Sequence, residues 1–278
     1  MEILRYTAFS ESTDGGNPAG VVFDAAGLDP KQMLEIAAEV GYSETAFVTG
    51  RADRHLAVRY FSPMVEVPFC GHATIATAVA FADRHGPGEL LLDTQAGPIE
   101  VSTSVTHTGL TVATLVSVPP HVDDLDTTLL DELLAALRWS RTDLDAGLPP
   151  KVAHAGASHP IIAARTRERL AHLSYDFSLL AMLMERTGWT TIDLVWRESD
   201  DIFHARNPFP PGGVVEDPAT GAAAAALGGY LRALKLVALP ATVTVLQGED
   251  MGRPSTITVS IPQDPASGIA VTGSALRL

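Results

Sequence analysis

The sequence predicts an α+β protein of two pseudo-symmetric domains, each a curved, mostly antiparallel sheet wrapped around a central apolar helix. Two helical segments, 71–85 and 221–235, begin with glycine and carry almost no charge over their first turns, which suits burial on all sides. Each is followed by a turn containing Gln and Gly, and then by a strand that reads Ile-x-Val-Ser. We therefore expect two similar halves, residues 1–120 and 121–278, with the last strand returning to the first half. A cleft between such halves is a common place for a small-molecule site.

A helix is predicted over residues 29–41 of the first half. Asp29 suits the capping position, Pro30 suits the first helical position, and Gly41 suits the stop. Pro119 and Pro120 interrupt the pattern before an acidic stretch, and this break sets the boundary between the halves. Strands are expected at 3–9, 21–23, 55–61, 89–93, 99–105 and 109–118.

The second half begins with an amphipathic helix. Leu130, Leu133, Leu134 and Leu137 recur in it at the spacing of one helical face. Further helical segments are expected around 166–186. Strands are expected at 151–155, 160–164, 191–197, 242–247 and 256–261.

The composition favours a soluble protein with small-molecule or protein partners. Of the 278 residues, 46% are hydrophobic and 19% are charged, so a well-packed core can form. Lys and Arg number 19 against 33 Asp and Glu, which gives a net charge of −14. Nucleic acids and anionic membranes attract clustered cations, so we expect neither as a partner. Residues 1–9 lack the basic and apolar regions of a signal peptide, and we expect a cytoplasmic location.

Missing motifs exclude several catalytic chemistries. Cys70 is the single cysteine, so the chain has neither an intrachain disulfide nor a CxxC pair. The chain also has no HExxH, no phosphate-binding GxxxxGK(S/T), no GxSxG, and no GxGxxG at a strand–helix junction. Its lysines lie outside glycine-rich segments, which disfavours a pyridoxal Schiff base. We therefore expect acid and base catalysis by side chains, with no metal and no cofactor.

Two residues of the first half are candidate acids or bases. Glu44 follows a helix stop and precedes an apolar strand, where partial shielding from water suits a carboxylate to proton transfer. A solvated loop glutamate is the alternative. His72 follows Gly71 at a helix start, where free N–H groups attract a substrate carboxylate, and it either shuttles a proton there or only caps the helix. Cys70 is interpreted as a small apolar packing residue.

Asp217 and Asn17 are two further candidates. Asp217 precedes the second apolar helix, and by the internal symmetry it faces the same cleft as His72; a simple helix cap is the alternative. Glu216 is its neighbour, so the two side chains should point in different directions. Asn17 lies between glycines and a proline, where a rigid turn would hold its amide toward a substrate or toward the turn itself.

Five motifs follow one another along nearly the whole chain: GNPAGVV at 16–22, YSETAFV at 42–48, RYFSPMVEVPFCGHAT at 59–74, DTQAGPIEV at 93–101 and ARNPFPPGGVVEDPATGAAAAA at 205–226. Together they resemble the PhzF-like isomerases of phenazine biosynthesis, which have the diaminopimelate-epimerase fold. The resemblance implies two similar domains of barrel-like sheet around a central helix, with the site between them.

The resemblance also implies roles for individual residues. Glu44 would be the acid/base that moves a proton, and His72 and Asp217 would assist proton transfer and position the substrate. Backbone groups at the two helix starts would hold a substrate carboxylate. The expected substrate-binding residues are Asn17, Ser43, Gly71, Gly221 and Ala222.

Two positions depart from related patterns. Diaminopimelate epimerases use two cysteines; Cys70 resembles the first, but Pro218 takes the place of the second, which excludes a two-thiol reaction. The family often has Ser after the glycine of EDPATG, where this chain has Ala222. The missing hydroxyl indicates a substrate that differs from the dihydro-hydroxyanthranilate of the phenazine pathway.

The leading hypothesis is a cofactor-independent isomerase that moves a proton within a small carboxylate-bearing substrate, in the form of a homodimer. An epimerase or racemase is a second hypothesis, and it would need Glu44 and Asp217 as bases on opposite faces of one carbon. A catalytically silent binding protein is a third, because a fold does not fix a function. The presence of Glu44, His72 and Asp217 in one chain argues against the third hypothesis.

Overall fold

The computed structural model describes residues 1–278 and separates into two compact units. Unit 1 comprises Met1–Val116 and Thr272–Leu278, and unit 2 comprises Ser117–Val271. Each unit contains a curved sheet and an apolar helix packed against several of its strands, so the predicted α+β class is confirmed. The last strand, Ala270–Arg277, starts in unit 2 and ends in unit 1, and its residues lie outside the strand ranges predicted from the sequence.

Unit 1 is a closed sheet around a helix. Its elements are β1 (Leu4–Ala8), β2 (Asn17–Val22), α1 (Pro30–Val40), β3 (Glu44–Ala52), β4 (His55–Phe61), β5 (Glu66–Val67), α2 (Gly71–His85), β6 (Gly88–Thr94), β7 (Gly97–Val105) and β8 (Thr111–Val116). The strands pair in the order β1, β2, β3, β4, β6, β7, β8, and both β1 and β8 pair with the last strand. The hairpin strand β5 pairs with β4.

Helix α1 begins and ends at the residues that the sequence predicts. The Asp29 carboxylate accepts a hydrogen bond from the backbone N–H of Gln32, which satisfies one free donor of the first turn. Gly41 stops the helix in the left-handed region, with φ of 73°, where glycine has no steric penalty. This stop redirects the chain into β3, whose first residue is Glu44.

Helix α2 lies inside the sheet of unit 1. Every residue from His72 to Ala82 is buried, and the helix packs against β1, β2, β3, β7 and β8. Its hydroxyls are satisfied within the helix, because Thr74 donates to the carbonyl of Cys70 (2.8 Å) and Thr77 donates to that of Ala73 (2.7 Å). The helix can therefore be enclosed without an unpaired hydroxyl.

Unit 2 arranges its strands around a second apolar helix. The pairing order is β9, β10, β11, β12, β13, β15, β16, and β14 forms a hairpin with β13. The sequence pattern did not predict β9, β13 or β14. The elements are β9 (His121–Asp124), α3 (Thr127–Leu137), β10 (Lys151–His154), β11 (Ser158–Ala163), α4 (Arg167–Ala171), α5 (Phe177–Thr187), β12 (Asp193–Arg197), β13 (Ile202–Phe209), β14 (Val214–Asp217), α6 (Gly221–Ala233), β15 (Ala241–Gln247), β16 (Ser255–Ile261) and β17, the last strand.

Two glycines let α6 approach its surroundings closely. A Cβ atom at Gly228 would lie 2.8 Å from a side-chain carbon of Ile269, and one at Gly229 would lie 2.5 Å from Pro120. Any larger residue would push the helix away from these contacts.

No helix in the chain has the combination of length and apolar character that a membrane span requires.

The two units repeat one order of strand pairings, which confirms the predicted duplication. In unit 1, β1–β2 is antiparallel, β2–β3 parallel, β3–β4 antiparallel, β4–β6 parallel and β6–β7 antiparallel. In unit 2, the same directions recur in β10–β11, β11–β12, β12–β13, β13–β15 and β15–β16. Helix α1 occupies the place that α4 and α5 fill in unit 2.

The repeated topology places Asp193 where unit 1 has Glu44. Glu44 is the first residue of β3 and pairs with Ala19 of the parallel strand β2. Asp193 is the first residue of β12 and pairs with Ile161 of the parallel strand β11. A carboxyl group therefore occupies the same position in both units.

A chain of buried hydrogen bonds surrounds Asp193. Thr191 Oγ1 donates to Asn207 Oδ1 (2.6 Å), and Asn207 Nδ2 donates to Asp193 Oδ1 (3.0 Å). Because the Thr191 proton goes to Asn207, the Nδ1–H of His159 donates to Thr191 Oγ1 (2.8 Å). Burial raises the pKa of Asp193 to about 7 and lowers the pKa of His159 to about 3, so both groups resist becoming charged.

We expect Asp193→Asn to become more stable relative to the wild type as pH rises. The folded state keeps the Asp193 proton up to about pH 7, whereas the unfolded chain releases it near pH 4, so the wild type loses stability between these values. Denaturant unfolding at pH 5 and pH 8 should show a relative gain of roughly 2–3 kcal/mol for the variant. The exposed Asp14→Asn is the control and should show no such gain. Equal pH dependence of wild type and Asp193→Asn would contradict the assignment.

Candidate active site

The site in unit 1 is assembled around His72, the second residue of α2. The Asn17 amide donates from Nδ2 to His72 Nδ1 at 3.1 Å, which leaves the ring proton on Nε2. His72 Nε2 lies 3.3 Å from Ser43 Oγ and 3.4 Å from Glu44 Oε2. The structure thus brings together four residues that the sequence proposed separately.

Asn17 reaches this position from a strand. The sequence placed its amide in a rigid turn, but Asn17 is the first residue of β2 and is fully buried. The turn ends one residue earlier at Gly16, whose φ is 72° and whose Cβ would lie 2.4 Å from the carbonyl oxygen of Ala8. Pairing with β1 holds the Asn17 backbone, so its amide is aimed at His72 by the sheet.

Cys70 belongs to the same cluster. It precedes α2, and its Sγ–H donates to Glu44 Oε2 at 3.6 Å. Sγ also lies 3.4 Å from Nδ1 and 3.8 Å from Nε2 of His72. Its interpretation as a packing residue accounts for its burial but not for these contacts with two titratable side chains.

The start of α2 leaves room for a ligand group. The first backbone N–H groups of a helix have no partner within the helix, and the dipole makes this end attractive to anions. A Cβ built at Gly71 would have no heavy atom within 4 Å, so there is open space beside this residue. A carboxylate can reach the helix start here, next to His72 and Glu44.

Asp217 ends strand β14 of unit 2 and is buried. Its Oδ2 accepts a hydrogen bond from Thr220 Oγ1 at 2.6 Å. Its neighbour Glu216 instead forms a buried two-point ion pair with Arg206, in which Nε donates to Oε2 at 2.9 Å and Nη2 donates to Oε1. The prediction that Glu216 and Asp217 point in different directions is confirmed.

Gln247 holds the turn that carries Asp217, a role that the sequence pattern did not predict. Its Nε2 donates to the carbonyl of Asp217 (2.7 Å) and to Thr220 Oγ1 (3.0 Å), while its Oε1 accepts from the Thr220 backbone N–H (3.1 Å). The Gln-Gly turn marked this residue in the sequence, but it served there only as a sign of duplication. The corresponding Gln95 of unit 1 is exposed.

The sequence-predicted residues are divided between the two units. Unit 1 holds Asn17, Ser43, Glu44, Gly71 and His72, and unit 2 holds Asp217, Gly221 and Ala222. Ala222 is the second residue of α6, the position that His72 has in α2, so no polar side chain occurs there. The shared cleft for His72 and Asp217 stays a prediction.

We expect Gln247→Leu to destabilise unit 2. The substitution removes the hydrogen bonds that Gln247 makes to the buried Thr220 N–H and to the Asp217 carbonyl, and the loss of a hydrogen bond to a buried group costs about 1–3 kcal/mol. Urea denaturation should therefore show a loss of roughly 2–4 kcal/mol. Gln95→Leu, in the exposed matching turn, should change stability by less than about 0.5 kcal/mol. Similar effects of the two substitutions would refute the role given to Gln247.

Comparison with known proteins identifies the family. The phenazine biosynthesis-like protein family (PhzC-PhzF) matches residues 6–278. The uncharacterized isomerase YddE of Escherichia coli is 32% identical over 287 residues, which cover 100% of this chain and 96% of that protein. The trans-2,3-dihydro-3-hydroxyanthranilate isomerase of Pseudomonas fluorescens is 32% identical over 251 residues, which cover 89% of this chain and 86% of that protein. The crystal structure of a PhzF-family phenazine biosynthesis protein from Bacillus anthracis matches with a TM-score of 0.89 at 26% identity. The match covers 100% of this chain and 98% of that one. The chain therefore belongs to the phenazine biosynthesis-like (PhzC-PhzF) family.

Proposed function

We propose that this protein is a cofactor-independent isomerase that moves a proton within a small carboxylate-bearing substrate. The observation that carries the proposal is the contact of Glu44, His72 and Asn17 beside the start of α2. A group that takes a proton from carbon must hold it and return it, and a largely buried carboxylate beside an imidazole can do both. The relatives that are named isomerases support the same reaction class.

Glu44 is the group that takes the proton. Its carboxylate removes a proton from one substrate carbon, and the C–H electron pair moves into the adjacent unsaturated system of the substrate. The same carboxylic acid then returns the proton to a second carbon, so no oxidant or co-reactant is consumed. His72 donates its Nε2–H toward Glu44 or Ser43 and keeps the carboxylate oriented through both states.

Substrate binding is assigned to the helix starts. Free N–H groups near Gly71 and Gly221 would hold the substrate carboxylate, and Asn17 and Ser43 would contribute on the side of unit 1. Asp217, held by its hydrogen bond from Thr220, would assist proton transfer.

The substrate proposal is broader than the reaction named for the Pseudomonas relative. Ala222 lacks the hydroxyl of the serine that the family often has at this position, which removes one donor for a substrate carboxylate. We therefore propose the general class of small carboxylate-bearing molecules as substrates and do not assign the dihydro-hydroxyanthranilate of the phenazine pathway. The cytoplasmic location and the homodimer remain predictions.

We expect Glu44→Gln to lower turnover by about 10²–10⁴, the usual contribution of a general base. Gln has nearly the same shape but cannot accept and return a proton, so folding and ligand binding should be kept. A thermal-shift screen of small cyclic and amino acids would supply the substrate, and turnover would then be measured in deuterium oxide. The wild type should incorporate deuterium at the shifted position, or partly retain the original proton if the site is closed to water.

The matched control for this test is Glu39→Gln, an exposed carboxylate of α1 whose loss should leave turnover unchanged. Near-wild-type turnover of Glu44→Gln would remove Glu44 from the mechanism and leave Asp217 or His72 as the base. Exchange at a single carbon with inversion of configuration would support the epimerase hypothesis instead.

We expect activity to survive prolonged dialysis against EDTA and to need no added nucleotide or pyridoxal phosphate. The proposed proton transfer uses only side-chain acids and bases, so removal of metal ions should leave kcat and KM within about twofold. Dialysis without chelator is the control. Loss of activity on chelation, with recovery on addition of one metal, would refute cofactor independence.

A further inference from the structure

Three potential metal ligands converge in unit 1. Glu44 Oε2, Cys70 Sγ and His72 Nε2 form a triangle with sides of 3.6 Å (O–S), 3.8 Å (S–N) and 3.4 Å (N–O). The side chains of Glu44 and His72 are 13% and 6% exposed, and Cys70 is also buried. Carboxylate, thiolate and imidazole are the three ligand types that zinc binds most often in proteins.

We propose that Glu44, Cys70 and His72 form a binding site for a soft divalent cation of the Zn²⁺ class. Ligand atoms of a tetrahedral zinc ion lie roughly 3.3–3.6 Å apart when the bonds have ordinary lengths, close to the three distances found here. The centre of this triangle lies about 2.1 Å from each atom, and a tetrahedral cation would lie slightly above its plane and therefore slightly farther from all three. Small inward shifts of the three side chains would give ordinary bond lengths, and the fourth position would take water.

The surroundings supply a partner for the coordinating imidazole. A histidine that binds metal through Nε2 carries its proton on Nδ1 and usually donates it to a neighbouring oxygen. Asn17 lies 3.1 Å from His72 Nδ1, and a half-turn of its amide presents Oδ1 to that proton. Binding also requires the Cys70 thiol to release its proton to solvent, so cation affinity should rise with pH.

Occupation of this site would block proton transfer, an inference that rests on the function proposed above. The cation would bind Glu44 Oε2, the atom that takes the substrate proton, and Nε2 of His72 would lose the proton that it donates to Glu44. The cation is thus an inhibitory ligand, and its removal by EDTA should leave the proposed activity intact.

Co²⁺ is a direct probe, because a thiolate bound to Co²⁺ gives a charge-transfer absorption in the near ultraviolet. The chain has one cysteine, so any such band from the tag-free protein reports Cys70 alone. We expect the band to saturate at one equivalent of Co²⁺ and to be displaced by Zn²⁺. Cys70→Ser should abolish it. Loss of a residue that only orients a metal ligand lowers metal affinity roughly 10–100-fold. Glu44→Gln and His72→Gln each remove a ligand, so each should lower Zn²⁺ affinity by more than that.

The control variant is His55→Ala, which removes an exposed histidine 2.6 Å from the carboxylate of Asp93. It should leave the cobalt band and Zn²⁺ affinity unchanged, and circular dichroism should show that each variant is folded. Absence of the band in the wild type, or tight Zn²⁺ binding that survives Cys70→Ser, would overturn the proposal.

The two proposals fail separately in these experiments. A cobalt band together with full turnover of Glu44→Gln would keep the cation site and reject the role of Glu44 in catalysis. Loss of turnover in Glu44→Gln without any cobalt band would keep the catalytic role and reject the cation site. Zn²⁺ that binds but leaves wild-type turnover unchanged would contradict the inhibitory role.

Discussion

Enclosure of α2 by strands is the constraint on which the arrangement of unit 1 depends. Small, uncharged side chains on every face let the sheet close around the helix, and its threonines satisfy their own hydroxyls. Polar groups that need other partners are then confined to the ends of the helix. Cys70 and His72 lie at the N-terminal end, and the parallel strands β2 and β3 bring Asn17 and Glu44 to the same end.

The repeated topology places a carboxyl group at the equivalent strand start in both units, and the surroundings of the two groups differ in burial and in hydrogen-bond partners. Glu44 keeps 13% of its side chain exposed and contacts an imidazole. Asp193 is 1% exposed, and its hydrogen bond from the Asn207 amide does not offset the effect of burial, so its pKa is raised. The same topology therefore yields a partly exposed carboxylate in unit 1 and, in unit 2, a fully buried carboxyl group that keeps its proton up to about pH 7.

The close approach of carboxylate, thiol and imidazole in unit 1 underlies both the proton transfer and the cation site that we propose. The separations of 3.6 Å between Cys70 Sγ and Glu44 Oε2 and of 3.4 Å between His72 Nε2 and Glu44 Oε2 are close to the edges of a zinc tetrahedron. An acid/base site of this composition must either exclude soft cations or respond to them. In unit 2, Ala222 stands where α2 has His72, so no corresponding imidazole occurs at that helix start.

The sequence by itself determined the α+β class, the duplication, the caps of α1, the two apolar helices and the candidates Glu44, His72 and Asp217. These features depend on local periodicity, on capping residues and on motifs, which all involve residues that are close together in the sequence. Only the tertiary structure decided that Cys70 contacts Glu44, that Asn17 is aimed by a strand, and that Gln247 holds the turn before α6. These contacts join residues far apart in the chain, and their geometry is set by strand register and burial, which local patterns do not encode.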